Sequence, residues 1–359
     1  MREISHLISN GRTTHKLSRV RASNLELLRI VSMMLVMLAH YIKISIIHTS
    51  TELIQNPIKV ISELEIHSIS IICVHCFILI SGYFGIRWKL KSFLGLLFQI
   101  LFWGILGFFI YEWLIAPFIN ISNGISFGSF MERLFISYRS RWFLSAYITL
   151  YILSPLINSF VESASERKLL TFTGIFYLYS TIYGYFMLSD EFNAGLSALS
   201  MIGLYILGAW LKRSRLKIVN CNKWYDFFGF ILCTIIMTGG SAVLLMMGIT
   251  KSIYGYLNPI VIIESMFLFQ FFRKMKMRHV NWINYLASSA LAAFLLHCHG
   301  IIGPVWNNVC RDIHESDFAL LYILIFIIFT FLAATLIDKI RIFIWEILCN
   351  ICSRMIISK

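Results

Sequence analysis

The chain alternates long apolar runs with short polar breaks, most of them basic. The runs are about twenty residues long, which at 1.5 Å rise per residue lets an α-helix cross roughly 30 Å of hydrocarbon. They fall near 25–47, 66–86, 93–118, 142–160, 169–189, 195–211, 226–247, 253–272, 283–303 and 318–337. Strands of a membrane barrel would be about ten residues long with alternating polarity, and that pattern is absent. The sequence therefore predicts an all-α polytopic membrane protein. With short breaks and no internal repeat, a single bundle of about ten transmembrane helices is the simplest architecture.

Composition adds that lipid is the solvent: 58% of residues are hydrophobic, only 14% are charged, and mean hydropathy is +0.76. An ordinary soluble domain is excluded. A net charge of +13 would suit nucleic acid, so the positions of the basic residues decide its meaning. With a cytoplasmic amino terminus, the outer segments hold only Lys43, Lys59, Arg133, Arg139, Arg141, Lys251 and Arg311 of the 31 Lys and Arg. That is the positive-inside asymmetry of an even number of spans with both termini cytoplasmic, and it predicts no nucleic-acid partner.

The expected organisation is a basic cytoplasmic tail (1–22), a transmembrane domain (23–337) and a cytoplasmic tail (338–359). In the last, Phe343, Trp345 and Leu348 suit a helix lying along the inner membrane surface. The first apolar run has no small-residue cleavage site and reads as an uncleaved anchor. The longest outer segment, 119–141, suits a re-entrant or surface helix. Cys73, Cys76, Cys233 and Cys298 lie inside spans and only Cys310 in an outer loop, so no disulfide framework is expected.

Polar and ionisable side chains inside a bilayer cost a few kcal/mol on insertion scales, so each is a candidate site. His40, His75, Glu264, His297 and His299 stand out, with Arg29 at the inner edge of the first span. Arg29 and His40 are eleven residues apart, three turns plus about 20°, so they share one helical stripe with a rise of about 16 Å. A guanidinium can hold an anionic donor at the cytoplasmic mouth while an imidazole waits deeper. The alternative is that Arg29 pairs with Glu26 one turn earlier and His40 bonds a neighbouring helix. Cys73, His75 and Cys76 point to different helix faces, so no zinc site is expected there, and no metal is predicted. Glu264 favours a histidine partner or protonation. His297 and His299 face different neighbours, so at most one shares a cavity with His40.

Four stretches, in order, resemble the acyltransferase 3 family of bacterial membrane acyltransferases. They are Ser23-Asn24-Leu25-Glu26-Leu27-Leu28-Arg29 running on to His40; Phe77-Ile78-Leu79-Ile80-Ser81-Gly82-Tyr83-Phe84; Trp142-Phe143-Leu144-Ser145-Ala146-Tyr147 with Ser154-Pro155-Leu156-Ile157-Asn158; and Ser288 through His297. The resemblance covers roughly 20–335. It implies a bacterial inner-membrane enzyme that moves an acyl group from acyl-CoA, usually acetyl-CoA, to a hydroxyl of a glycan or lipid-linked glycan. It makes His40 and Arg29 the catalytic pair.

On that reading Arg29, Arg87, Lys89 and Lys91 surround the coenzyme A phosphates, His40 is the general base, and Ser81 and Tyr83 are candidate oxyanion donors. Arg141, Trp142 and His297 are candidates for holding the acceptor, with membrane anchoring the competing role for Trp142. The chain departs from the family in lacking the Arg-x-x-Arg pair after the second span, and in having Tyr147 where many members carry a glutamate. Glu264 is the substitute acid available to orient His40. A multi-span transporter or flippase is the rival class, and a membrane glycan polymerase a further one; neither paired broken helices in similar halves nor an acidic outer cluster is evident.

Overall fold

The structure, a computed structural model, describes residues 22–46, 48–115, 142–249 and 253–357. The expected re-entrant segment 119–141, Arg141 with it, and most of the basic amino-terminal tail lie outside the described residues. Among those described, the chain is helical and carries no strand.

The elements, in order, are α1 Ser23–Ser45, α2 Ser50–Gln55, α3 Pro57–Ile71, α4 Cys73–Phe84, α5 Leu90–Ile110, α6 Trp142–Ser163, α7 Glu166–Tyr179, α8 Ala198–Arg213, α9 Lys223–Met246, α10 Pro259–Lys274, α11 Asn281–Ala287, α12 Ala290–His297, α13 Gly303–His314 and α14 Ala319–Ile357. Their starts follow local chemistry. Thr49 and Glu52 form a capping box at α2, Ser165, Ser197, Asn222 and Asn258 accept from the first-turn amides of α7, α8, α9 and α10, and Pro57 and Pro259 open α3 and α10. Gly85, with φ 77°, takes the chain out of α4.

Six of these segments are long and apolar enough to cross a membrane: 23–45, 57–84, 90–113, 142–163, 223–246 and 319–354. The other four expected crossings are occupied by shorter or interrupted helices. α7 runs into a π-helical stretch, Ser180–Phe186, and α11 and α12 are separated at Ser288 and Ser289. α8 and α10 have 16 residues each, about 24 Å. α8 is buried on nearly every side from Ser200 to Leu211, so protein rather than lipid surrounds it and no match to bilayer thickness is required. In contrast, α5 exposes Leu94, Leu97, Leu101 and Ile105, an apolar stripe three or four residues apart that faces outward, as lipid demands.

Hydrogen bonds gather the helix ends at one pole. Asn24 donates to the carbonyls of Phe272, Arg273 and Met275, Arg273 reaches Val219 and Asn220, Lys274 pairs with Asp226 at 2.6 Å, and Arg215 donates its amide to Glu166. This is the near end. The opposite, far end carries residues 46, 48–50, 194–196, 244–249 and 253–256.

One expectation is corrected by the last helix. In place of a span ending at 337 and a separate interfacial helix, α14 runs unbroken for 39 residues. It contains neither Gly nor Pro, and Asp338 and Arg341 are buried inside the protein. Asp338 is fully buried and accepts from Arg341 Nε (2.7 Å) and Nη2 (2.9 Å), Gln99 Nε2 (3.2 Å) and Trp103 Nε1 (3.4 Å). The pair therefore rivets α14 to α5. Asp338→Ala leaves the buried Arg341 without its counter-charge and is expected to cost about 3–5 kcal/mol. Thermal unfolding in detergent measures this. Replacing Asp338 and Arg341 together by leucine should recover most of the loss, because no unpaired charge is then left behind.

Candidate functional site

His40 stands five residues before the end of α1, and His297 closes α12. Packing of these helices, 257 residues apart in sequence, brings His40 Nδ1 to 2.9 Å from His297 Nε2. The other nitrogen of His297, Nδ1, is 2.6 Å from the carbonyl oxygen of Ala293, one turn back in α12. A carbonyl only accepts, so Nδ1 of His297 carries a proton. In a neutral ring its Nε2 is then an acceptor, and His40 must donate from Nδ1. The lone pair of His40 is thereby fixed on Nε2, and among the described residues no hydrogen bond engages that atom.

The ring of His297 is buried and held between Phe294 and Trp306, with centroids 5.9 and 5.2 Å away. Cys298 Sγ lies 3.4 Å from His40 Nδ1. As the two-residue spacing requires, His299 faces elsewhere: its Nε2 donates to the carbonyl of Gly104 on α5 and its Nδ1 accepts the amide of Ile301, pinning the turn into α13.

His40 lines a cavity of about 940 Å³ at the far end, together with Lys43, His67, Trp142, Tyr254 and Tyr256. Trp142 and Tyr256 pack with ring centroids 5.5 Å apart, and His67 stacks on Tyr254 at 3.9 Å. His48, another wall residue, faces Glu63 at 3.5 Å, while His314 meets Tyr41 at 3.0 Å. Burial pushes the imidazoles of His48 and His314 below their ordinary range. Lys43 is the only Lys or Arg among the described wall residues, and no carboxylate lines the cavity beside it.

A second, narrow pocket of about 30 Å³, room for roughly one water, lies between Met33, Val36, His40, Phe77, Phe143 and Phe294. Met33 and Val36 belong to the stripe that joins Arg29 to His40, at steps of four, three and four residues. Arg29 itself lines neither cavity. It pairs with Glu26 at 2.9 Å and is partly exposed, and Arg87 and Lys89, between α4 and α5, and Lys91, in the first turn of α5, are exposed at the near end.

Several expected placements do not occur. Glu264 is fully buried and accepts from Thr234 at 2.7 Å; among the described residues it bonds no histidine and does not orient His40. Ser81 donates to Phe77 within its own helix, and Tyr83 packs on Phe269; neither lines the His40 cavities. His75 donates from Nε2 to the carbonyl of Tyr256 at 2.8 Å and holds that loop against α4. Sequence reasoning did not single out Lys43, His67, Tyr254 or Tyr256 as site residues. Lys43 was within reach, being one turn from His40 on the same helix, whereas the tyrosines come from a loop that no periodicity reports.

In comparison with known families, the family model described as an acyltransferase domain matches residues 23–338. No curated protein and no solved structure matches the chain.

Proposed function

The chain belongs to the acyltransferase 3 family, a multi-pass membrane acyltransferase family, and on that premise we propose that it transfers an acetyl group from acetyl-CoA to a hydroxyl of a cell-surface polysaccharide or its lipid-linked precursor. The observation that carries this reading is the chain from the Ala293 carbonyl through His297 to His40, at the floor of a cavity large enough for a sugar ring.

A sugar hydroxyl is a poor nucleophile at neutral pH, so a base must take its proton as it attacks. Nε2 of His40 takes that proton while the hydroxyl oxygen bonds to the thioester carbon. Collapse of the tetrahedral adduct breaks the C–S bond, and the proton passes from Nε2 to the departing thiolate. His297 Nε2, accepting from His40 Nδ1, steadies the transient imidazolium without taking its proton, the part a carboxylate plays in a serine-protease triad. The aromatic wall of Trp142, Tyr254 and Tyr256 offers faces for a sugar ring.

We place ten crossings in a bacterial inner membrane, both termini in the cytoplasm, and the basic near end inside. Coenzyme A then meets Arg29, Arg87, Lys89 and Lys91, and its thioester arm follows the Arg29–Met33–Val36–His40 stripe by displacing the side chains that close the narrow pocket. The acceptor enters from the far end, where Lys43 and Trp142 receive it, with Arg141 as a further contact.

The test is transfer of radiolabel from acetyl-CoA to polysaccharide by membranes containing the protein. Label in the polysaccharide supports the reading; export of unlabelled glycan with no acetyl transfer would put the transporter class in its place. Within the active enzyme, His297→Ala should lower turnover by about 10²- to 10⁴-fold, the range for a base whose tautomer is no longer held, with the KM for acetyl-CoA little changed. His297→Gln, whose carbonyl oxygen can still accept from His40, should restore part of the loss.

A further inference from the structure

The same junction of α1 and α12 has the donor set of a soft-metal site. His40 Nδ1, His297 Nε2 and Cys298 Sγ all lie within 4.8 Å of one another. A tetrahedral zinc ion with bonds of about 2.0 Å to nitrogen and 2.3 Å to sulfur sets its nitrogens about 3.3 Å apart and nitrogen and sulfur about 3.5 Å apart. The observed separations are 2.9 Å for the nitrogens and 3.4 Å from sulfur to His40 Nδ1, each within a few tenths of an ångström of those values, and the third, from His297 Nε2 to Cys298 Sγ, is within 4.8 Å.

Two further features fit. The Ala293 carbonyl already holds His297 Nδ1–H, the outer-shell bond that aims a ligating Nε2. His40 also lines the large far-end cavity, so an ion on its Nδ1 sits one ring away from that space. We propose that His40, His297 and Cys298 bind a thiophilic divalent cation, Zn²⁺ being the probe, and that its occupancy switches off acyl transfer.

The switch follows from the tautomer. A metal on His40 Nδ1 takes the place of the proton there, and the neutral ring then carries its proton on Nε2. Cys298 gives up its thiol proton to solvent and His297 stays neutral, so one proton is released in all. With Nε2 protonated, His40 has no lone pair for a sugar hydroxyl. This consequence for turnover rests on the proposed acyltransferase reading; the binding itself does not.

Titration of the purified, EDTA-washed protein with Co²⁺ tests the binding without reference to activity. The expected result is one Co²⁺ per chain, with a thiolate-to-cobalt charge-transfer band and the strong visible bands of a tetrahedral ion, all erased by equimolar Zn²⁺. Cys298→Ser should lose the charge-transfer band and His297→Ala should weaken binding by at least about tenfold, while Cys310→Ser, far along α13, leaves both unchanged. A variant-free arm uses alkylation: Zn²⁺ should slow iodoacetamide labelling of Cys298 in the wild-type protein, read by peptide mass. Absence of the charge-transfer band, its survival in Cys298→Ser, or unchanged Cys298 labelling overturns the site. In the transfer assay, Zn²⁺ should inhibit, EDTA should reverse it, and Cys298→Ser should need at least tenfold more Zn²⁺. Metal binding without inhibition would overturn the switch, and absence of any transfer would count against the acyltransferase reading, leaving the cobalt spectrum to decide the site.

Discussion

Exchanging His40 for alanine should lower single-turnover acetyl transfer to polysaccharide by at least about 10³-fold, near the upper part of the range that a positioned general base contributes. The residual rate should then reflect binding and orientation alone. The change removes the ring on which the whole arrangement converges: Nδ1 bonded to His297, Nε2 left without a protein partner among the described residues, and the imidazole set between the wide cavity and the narrow pocket. Affinity for acetyl-CoA, measured by equilibrium binding, should hardly change, because its phosphates are assigned to the basic near end. The double variant His40→Ala/His297→Ala should be scarcely slower than His40→Ala, since His297 acts only through His40 and groups that work as a unit are not additive. If His40→Ala keeps wild-type turnover, the imidazole only bridges α1 and α12.

Gly82→Val should abolish accumulation of folded protein, a destabilisation beyond about 4–5 kcal/mol, at the severe end for a single substitution. α4 and α8 cross at backbone contact, and the crossing is reciprocal. A Cβ on Gly82 would drive into the carbonyl oxygen of Tyr205, and one on Gly208 into the carbonyl oxygen of Leu79. Neither obstacle is the tip of a flexible side chain. Small residues that let helices approach this closely are the common device of membrane bundles, where apolar burial gives no preference for protein over lipid.

The crossing also sets the loop after α4, since Tyr205 Oη accepts the amide of Ile86 and donates to Asn158 Oδ1, both at 2.7 Å. Detergent gel filtration of fluorescently tagged protein measures the effect. Gly239→Ala is the counter-example: no atom lies within 4 Å of the added carbon, so that helix should gain roughly 0.5–1 kcal/mol. Equal behaviour of Gly82→Val and Gly239→Ala would mean that α4 and α8 do not cross as described.

Much of this was readable from the chain. Apolar run length marks where helices form, since hydrocarbon thickness sets it, and the eleven-residue interval puts Arg29 and His40 on one stripe that the narrow pocket follows. Periodicity reports which way a residue faces, however, and not what it faces. That His40 meets His297 and Cys298, while Glu264 meets Thr234, depends on how distant helices pack. The end of α14 was misread for a different reason. Asp338, Lys339 and Arg341 look like a water boundary when charges are counted one at a time, but Asp338 and Arg341 neutralise each other one turn apart inside the protein. The short helices at some of the expected crossings have a related origin, because a helix such as α8, wrapped in protein, is freed from the length that lipid imposes.

The phenylalanine-lined narrow pocket beside His40 bears on the electrical integrity of the host membrane. On the proposed placement, a hollow of some 940 Å³ reaching in from the far end, with a basic mouth at the near end, would short-circuit an energised bilayer if the two were joined by a water column. Phe77, Phe143 and Phe294 narrow the space beneath that cavity to about 30 Å³, so on the proposed placement the described residues leave no wide water column between the two faces.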